Sequence, residues 1–166
     1  MADRLIQERL QPSLLDRLTD DQPDQKTEPR NARVIDMRRL RDIIRRDLSD
    51  LLNAGNLESV DDIDSYPHVQ RSVLNYGVEK VAGEFSTEER ALLIRRAMRD
   101  AIERFEPRIN RSTLEILVRE KQDRAHGATI TFDIRAEMWA QPVPLELYLR
   151  SEVDLTSGKL SLNEAR

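Results

Sequence analysis

The chain has 166 residues and a net charge of −4 at pH 7, with 35% charged and 39% hydrophobic residues. These values predict one modest domain with tails and exclude a membrane protein, because no apolar run approaches the roughly 18 residues that a span requires. The lack of cysteine and a charged N-terminus without the apolar stretch of a secretory signal indicate a cytoplasmic protein and exclude disulfides and thiolate metal sites.

The first 33 residues contain one apolar cluster, formed by Leu14, Leu15 and Leu18. Residues 19–30, which follow this cluster, are polar and include two prolines. We therefore expect residues 1–33 to form a short docking helix on a flexible tether.

The first long helix is predicted from Asp36, a suitable N-cap, to about Gly55. Apolar side chains recur along it at the spacing of three and four residues that places them on one helical face. The apolar positions are Met37, Leu40, Ile44, Leu48 and Leu51.

Residues 56–77 carry turn signals rather than a clear hydrophobic period. Residues 56–65 are acidic and predict a loop, and Tyr66-Pro67 predicts an extended turn. The pattern leaves the type of segment 69–75 open, and Gly77 is predicted to end that segment.

The second long helix is predicted from a capping box formed by Ser86 and Glu89. Apolar residues then recur every three or four positions as far as Phe105. The helix should stop at Phe105 or Glu106, because Pro107 disfavours helical geometry in the residue before it.

Beyond residue 108 the hydrophobic period changes to two, which is typical of half-buried strands. The predicted strands cover about residues 114–118, 130–138, 145–149 and 159–162. Turns are predicted at residues 123–127 and at Ser157-Gly158, and Thr131 and Asp133 fall on the polar face of the second strand.

The order of these elements predicts an α+β domain over residues 34–166. Two main helices should pack on an antiparallel meander of three to four strands.

Residue types that carry cofactor chemistry are sparse. The five glycines stand singly, so the chain has neither a P-loop nor a dinucleotide-binding fingerprint. His68 and His126 are the only imidazoles, and they have no metal-ligand spacing. We therefore predict no cofactor and no metal site. The acidic balance and the few aromatic residues also disfavour nucleic acid as a partner.

Paired carboxylates leave one enzymatic alternative. Asp100, Glu103 and Glu106 cluster at the end of the second helix, and a glycoside hydrolase needs only two acids. The chain has few aromatics to build a sugar-binding platform, so we expect these carboxylates to be simply solvated.

The tripeptide Glu106-Pro107-Arg108 places opposite charges on either side of a rigid proline at the predicted helix-to-strand junction. One interpretation is that both side chains point outward in a fixed geometry. An ordinary proline stop with solvated charges explains the same pattern. All but four of the 27 basic residues are arginines, which favours protein partners, although a GC-rich genome would leave the same bias.

Four motifs stand in order between residues 12 and 108, and the resemblance that they carry covers about residues 12–162. They are Pro12-Ser13-Leu14-Leu15-Asp16-Arg17-Leu18, Arg46-Asp47-Leu48 with Leu51-Leu52-Asn53, Tyr66-Pro67 with Ser72-Val73-Leu74-Asn75-Tyr76-Gly77, and Phe105-Glu106-Pro107-Arg108. Each motif is weak alone. Their order resembles the TssE family, the small baseplate subunit of bacterial type VI secretion systems, which is related to lysozyme-like phage-tail baseplate wedge proteins.

This resemblance implies a structural part rather than an enzyme. In the family the Glu-Pro-Arg motif is the functional signature, and carried over here it favours an exposed junction that binds a partner. The expected partner-binding residues, with those of the predicted docking helix, are Glu106, Pro107, Arg108, Leu14, Leu15 and Leu18.

The implied partners are the baseplate subunits TssF and TssG, with TssK and the spike hub, and the sheath subunits TssB and TssC. The sheet would accept a sheath strand at an edge near residues 145–149 and template sheath polymerisation. The baseplate would assemble in the cytoplasm near the inner membrane. A lysozyme-like hydrolase that cleaves peptidoglycan is the alternative.

Overall fold

The structure, a computed structural model, describes residues 13–19, 23–24, 37–80, 87–119, 129–139 and 144–165. The helices in these residues are α1 (Leu14–Leu18), α2 (Met37–Asn53), α3 (Pro67–Gln70) and α4 (Thr87–Phe105). Two 3₁₀ turns, Leu57–Ser59 and Val73–Asn75, lie between α2 and α4. The strands are β1 (Glu115–Arg119), β2 (Thr129–Met138), β3 (Leu145–Asp154) and β4 (Leu160–Glu164).

The two long helices form where the sequence predicts them. Helix α2 turns its apolar face inward, as expected for residues at helical spacing. Its buried residues are Leu40, Ile43, Ile44, Leu48, Leu51 and Leu52. Helix α4 ends at Phe105, two residues before Pro107, as predicted. The caps expected at Asp36 and Ser86, most of the tether and the turn at 123–127 lie outside the described residues.

The four strands form one antiparallel sheet in chain order, β1-β2-β3-β4. Helix α2 contacts β3, β4 and α4, and α4 contacts β1. The strand residues in the shared core alternate with polar ones, as Phe132, Ile134 and Leu149 show, so both helices cover the same sheet face. The predicted α+β fold, with two main helices on an antiparallel meander, is confirmed.

The opposite face of the sheet is polar but not uniformly solvated. Asp133 is buried there because longer side chains on neighbouring strands fold over it. Its carboxylate accepts hydrogen bonds from Arg150 Nε at 3.1 Å and from the Tyr148 hydroxyl at 3.2 Å, and Arg119 Nε lies 3.5 Å away. Thr131 is also buried on this face. A position on the polar face of the strand is therefore not enough to make a residue exposed.

Strand β3 lies inside the sheet, but β4 covers only part of it, and of the predicted edge at residues 145–149 only Leu149 pairs with β4. Strand β2 pairs with β3 from Leu145 to Asp154, and β4 covers the other side from Leu149 to Val153. In a meander the first and last strands are the edges, so within the described residues β1 and β4 are the edge strands, and β3 extends beyond its pairing with β4 at residues 145–148.

The segment whose type the sequence left open consists of short helical turns. Helix α3 is followed by the 3₁₀ turn Val73–Asn75, and Gly77 then adopts a positive φ of 124°. This backbone geometry favours glycine. Val78 forms an isolated parallel bridge with Gly55, which ties the segment to the end of α2.

Ser151 is fully buried on β3, and its hydroxyl has no hydrogen-bond partner in the described part of the chain. We expect Ser151→Ala to leave the free energy of unfolding unchanged or to raise it by about 1 kcal/mol, because an unpaired buried hydroxyl is unfavourable. Urea titration measures the change. Asn75 is the matched contrast, since it is equally buried but makes three side-chain hydrogen bonds. Asn75→Ala should lose about 2 kcal/mol, and an equal loss at Ser151 would contradict the prediction.

Candidate functional site

The tripeptide Glu106-Pro107-Arg108 lies where the end of α4 meets the end of β2. The N–H of Glu106 donates to the carbonyl of Ile102 at 2.9 Å and completes the last turn of the helix. The carbonyl of Arg108 accepts from the N–H of Trp139 at 2.8 Å, and the N–H of Asn110 donates to the carbonyl of Glu137 at 2.8 Å. The tripeptide is therefore fixed by the helix on one side and by the sheet on the other.

Glu106 is buried, with 5% of its surface exposed. The guanidinium of Arg108 folds back onto it: Nε donates to Oε1 at 2.6 Å and Nη2 donates to Oε2. The backbone N–H of Arg108 also donates to Oε1, at 3.1 Å. This fork-to-fork pairing satisfies the carboxylate. The interpretation in which both side chains point outward is therefore wrong for Glu106, while Pro107 is exposed.

The charge of Arg108 is held firmly in this pocket. Burial alone would lower the pKa of Arg108, but the hydrogen bonds and negative charge of Glu106 and Asp47 outweigh that effect and raise it above its usual value. The side chain remains 29% exposed. Its Nη1 has no partner among the residues that the structure describes, which leaves two N–H donors for a bound partner.

Asp47 on α2 extends the pairing toward the N-terminus. Its Oδ2 accepts from Arg108 Nη2 at 2.7 Å, and its Oδ1 accepts from Arg46 Nη2 at 2.7 Å. Arg46 Nη1 in turn donates to Asp16 of α1 at 2.6 Å. Five alternating charges therefore run from the junction after α4 across α2 to α1, and we call this chain of ion pairs the charge ladder: Glu106, Arg108, Asp47, Arg46 and Asp16.

Helix α1 forms as predicted, and it presents its leucines to solvent. Leu14, Leu15 and Leu18 are all exposed, while the Asp16 side chain is largely covered. The hydrogen bonds from Arg46 hold the pKa of Asp16 below its usual value. A helix of five residues is not stable alone in water, so α1 depends on its attachment to the charge ladder.

We expect the attachment of α1 to weaken as the pH falls below about 4. Because the pKa of Asp16 is lowered by folding, the Asp16–Arg46 pair stabilises α1 above the unfolded pKa and is lost as the pH falls through the folded one. The half-exposed pair should contribute about 1 kcal/mol or less. Hydrogen-exchange protection factors of the α1 amides test this, with Asp16→Asn expected to lower them at pH 7. Equal protection in both proteins would contradict the assignment.

Tyr76 packs against Phe105, the residue before the Glu106 end of the charge ladder. Its ring meets the ring of Phe105 edge to face, with centroids 5.4 Å apart. Burial raises the pKa of Tyr76, and the negative charge of nearby carboxylates raises it further. Asp47 and Glu106 of the ladder are two of these carboxylates. The aromatic pair therefore connects the 66–77 segment to the ladder.

Trp139 is a candidate functional residue that sequence reasoning missed. It is the only tryptophan of the chain, is 73% exposed, and hydrogen-bonds through its backbone to Arg108. The sequence did contain a signal for its exposure. Trp139 follows Met138, the last inward residue of β2, and therefore falls on the solvent side of the strand alternation. Tryptophan and arginine are both enriched among the hot spots of protein interfaces, so Trp139 next to Arg108 is a candidate contact for a partner.

The structure brings together all four motifs on which the sequence resemblance rests. Asp16 belongs to the first motif, Asp47 to the second, Tyr76 to the third and Glu106 to the fourth. The ion pairs and the aromatic contact join them into one connected set, although they are spread over much of the sequence. Three of the expected partner-binding residues lie in α1 and three in the junction after α4, at the two ends of the charge ladder.

The carboxylates of the enzymatic alternative are engaged by arginines. Asp100 lies 3.8 Å from Arg96, and Glu103 lies 3.4 Å from Arg99. Within the described ranges no group of three or more acidic or histidine side chains is arranged to hold a metal ion. In the same ranges no helix has the length and apolar character needed to cross a membrane.

Comparison with known families gives one match. The family model described as "Baseplate wedge protein gp25" matches residues 38–143, which is more than half of the chain and includes the ladder residues of α2 and of the junction. A search of curated proteins and a search of solved structures found no match. The match covers the helix pair and the first half of the sheet, which together position the charge ladder. The chain therefore belongs to the gp25 family of baseplate wedge proteins, structural components of phage-tail-like baseplates.

Proposed function

We propose that this chain is the small wedge subunit of a type VI secretion baseplate in the bacterial cytoplasm, near the inner membrane. It joins TssF and TssG, meets TssK and the spike hub, and starts assembly of the TssB and TssC sheath. Membership of the gp25 family supports the baseplate role, and the resemblance to TssE supports the secretion system. The structural observation that supports docking is the charge ladder, which holds exposed leucines at one end and an exposed tryptophan at the other.

The docking face combines apolar area with one directed charge. Leu14, Leu15, Leu18 and Trp139 are exposed and lose contact with water when a partner covers them. Arg108 keeps Nη1 free of partners among the described residues, so it can donate to a carboxylate or carbonyl of the partner. Glu106 sets the orientation of Arg108, so binding a partner requires little further ordering of this side chain.

Binding to purified TssF and TssG tests this face. Leu14→Ala with Leu15→Ala, and separately Trp139→Ala, should each weaken binding by about tenfold or more. Leu92→Ala is the control, because Leu92 is an exposed leucine of α4 away from the ladder residues in sequence. The α1 amides should also gain hydrogen-exchange protection in the complex. Native-like binding of both variants would contradict the proposed docking face.

Sheath templating is proposed for the edge of β4. The side-chain amide of Asn53 already engages both backbone groups of Leu160, accepting from its N–H at 3.0 Å and donating to its carbonyl at 2.9 Å. Backbone groups alternate between the two sides of an antiparallel strand, so those of Leu162 and Glu164 lie on the same outer edge. This part of β4 can accept an added strand through main-chain hydrogen bonds.

A proline at the edge of β4 tests the templating step. Glu164 is exposed at the end of the strand, and Glu164→Pro removes an outward N–H without opening the core. Glu164→Ala is the matched control because it keeps that donor. We expect Glu164→Pro to reduce polymerisation of TssB and TssC on assembled baseplates while binding to TssF and TssG is unchanged. Equal polymerisation with both variants would rule out this edge.

We also propose that the chain is not a glycoside hydrolase. Both carboxylate oxygens of Glu106 accept from Arg108, so this side chain is poorly suited to deliver a proton to a leaving group. We expect no clearing of a peptidoglycan suspension in a turbidity assay. Clearing that disappears in a Glu106→Gln protein would instead establish the hydrolase.

A further inference from the structure

Two large apolar side chains project from the 3₁₀ turn Val73–Asn75. Val73 is 80% exposed and Leu74 is 68% exposed, although exposed turns usually carry polar residues. We call these two side chains the apolar knob. Neither the charge ladder nor the sheet edge explains their exposure.

The residue next to the apolar knob anchors it to the protein. Asn75 is fully buried, and its Oδ1 accepts from the backbone N–H of Glu58 at 3.0 Å. Its Nδ2 donates to the carbonyl of Gln70 at 3.1 Å and to the Glu58 carboxylate at 3.2 Å. A buried amide with this set of partners holds the turn in one conformation.

Further contacts brace the same turn against α4. The hydroxyl of Ser72 accepts from the N–H of Leu74 at 3.2 Å, and Arg104 of α4 donates to the carbonyl of Gln70 at 2.9 Å. Tyr76, which follows the turn, packs on Phe105. The apolar knob is therefore pre-organised, so a partner that covers it does not have to order it first.

Residues 56–77, the segment that carries the apolar knob, hold four acidic side chains and one basic side chain, Arg71. The side chains of Glu58, Asp61, Asp62 and Asp64 are exposed, and within the described residues none of them forms an ion pair. Hydrogen bonds from Asn75 to Glu58 and from Gln70 to Asp64 connect this acidic segment to the segment of the knob. Uncompensated acidic groups beside apolar surface are complementary to a basic partner surface.

We propose that the apolar knob docks into an apolar pocket rimmed by arginine or lysine on the TssF–TssG wedge. This inference rests on the proposed function and adds a contact separate from the docking face at the charge ladder. Apolar burial supplies the affinity, and the acidic side chains of the same segment set orientation and association rate. The same negative charge disfavours an anionic lipid surface or nucleic acid as the occupant.

Binding of the full chain to purified TssF–TssG complex, measured by calorimetry at two salt concentrations, tests the inference. Val73→Ser with Leu74→Ser should weaken binding about tenfold or more, while Leu92→Ser, an equivalent change at an exposed leucine of α4, should not. Asp61→Lys with Asp62→Lys should also weaken binding and reduce its dependence on salt. All these side chains are exposed, so the melting temperatures should stay near the native value, and the largest structural loss is the exposed hydrogen bond from the N–H of Asp64 to Asp62 at 3.1 Å.

The outcomes separate this inference from the proposed function. If the native chain binds and both sets of variants bind equally well, the docking role of the apolar knob is wrong and the proposed function stands. If the native chain does not bind TssF–TssG, the proposed function fails and the inference fails with it. If the serine variant instead loses self-association in light scattering, a second copy of this chain covers the knob and the inference is overturned.

Discussion

Replacing Arg108 with alanine should lower the free energy of unfolding by about 3 kcal/mol, or roughly 6 to 12 °C in Tm for a chain of this size. Glu106 is 5% exposed, and its carboxyl group would be left buried with no cation to pair with it among the described residues. Breaking a buried ion pair costs about 3 to 5 kcal/mol, and the 29% exposure of Arg108 places this case at the lower end. Scanning calorimetry of the isolated chain measures the loss.

Two further variants test the cause of that loss. Arg46→Ala removes an arginine that also binds Asp47 but is 42% exposed, so it should cost no more than about 1 kcal/mol. Adding Glu106→Gln to Arg108→Ala should recover part of the stability, because the group left behind is then neutral. An Arg108→Ala protein as stable as the native one would show that Glu106 does not need this partner.

This stability effect changes how Arg108 is tested as a partner-binding residue. Reading the motif as an exposed signature predicts a variant that folds normally and fails only in assembly. In the structure two of the three guanidinium nitrogens bond to Glu106 and Asp47, so failed assembly alone does not show a partner contact. Leu149→Ala, a core change of similar expected cost, provides the comparison. A partner contact requires that Arg108→Ala weaken binding more than Leu149→Ala does.

Local signals in the sequence were sufficient for most of the secondary structure. Helical spacing located α2 and α4, and Pro107 fixed the end of α4. Alternation located the strands, and Ser157-Gly158 returns the chain into β4 with Gly158 at a φ of 69°. Each of these features depends on residues close to one another in sequence, so it can be inferred without the tertiary structure.

Those local signals could not predict side-chain pairings between residues that are far apart in the sequence. In the sequence, Glu106 is no different from other polar residues that follow a helix. It is buried because it pairs with Arg108, which is also bonded to Asp47, 61 residues away. Asp133 occupies a polar-face position, and it is buried by arginines and a tyrosine on neighbouring strands. The charge ladder is built from such contacts, so the sequence could indicate its motifs but not their connection.

Gly77→Ala should also destabilise the protein by about 3 kcal/mol, because the backbone at this position cannot accommodate a Cβ. Gly77 has a φ of 124°, which costs a residue with a Cβ about 1 to 3 kcal/mol. An added Cβ would also lie 2.5 Å from the carbonyl oxygen of Ala54 and 3.0 Å from the nitrogen of Asn56. These two backbone groups bond to Val78 and hold the 56–77 segment to the end of α2. The clash cannot be relieved by turning a side chain.

Gly158→Ala is the matched control for this change, measured in the same urea titrations. Gly158 also has a positive φ, of 69°, but an added Cβ there would meet no atom within 4 Å. It should therefore lose only the conformational cost of about 1 kcal/mol. A Gly77→Ala loss no larger than that of Gly158→Ala would show that the bridge between Gly55 and Val78 yields easily. The segment that carries Val73 and Leu74 would then be held by the contacts of Asn75, Arg104 and Tyr76, without a rigid link to the end of α2.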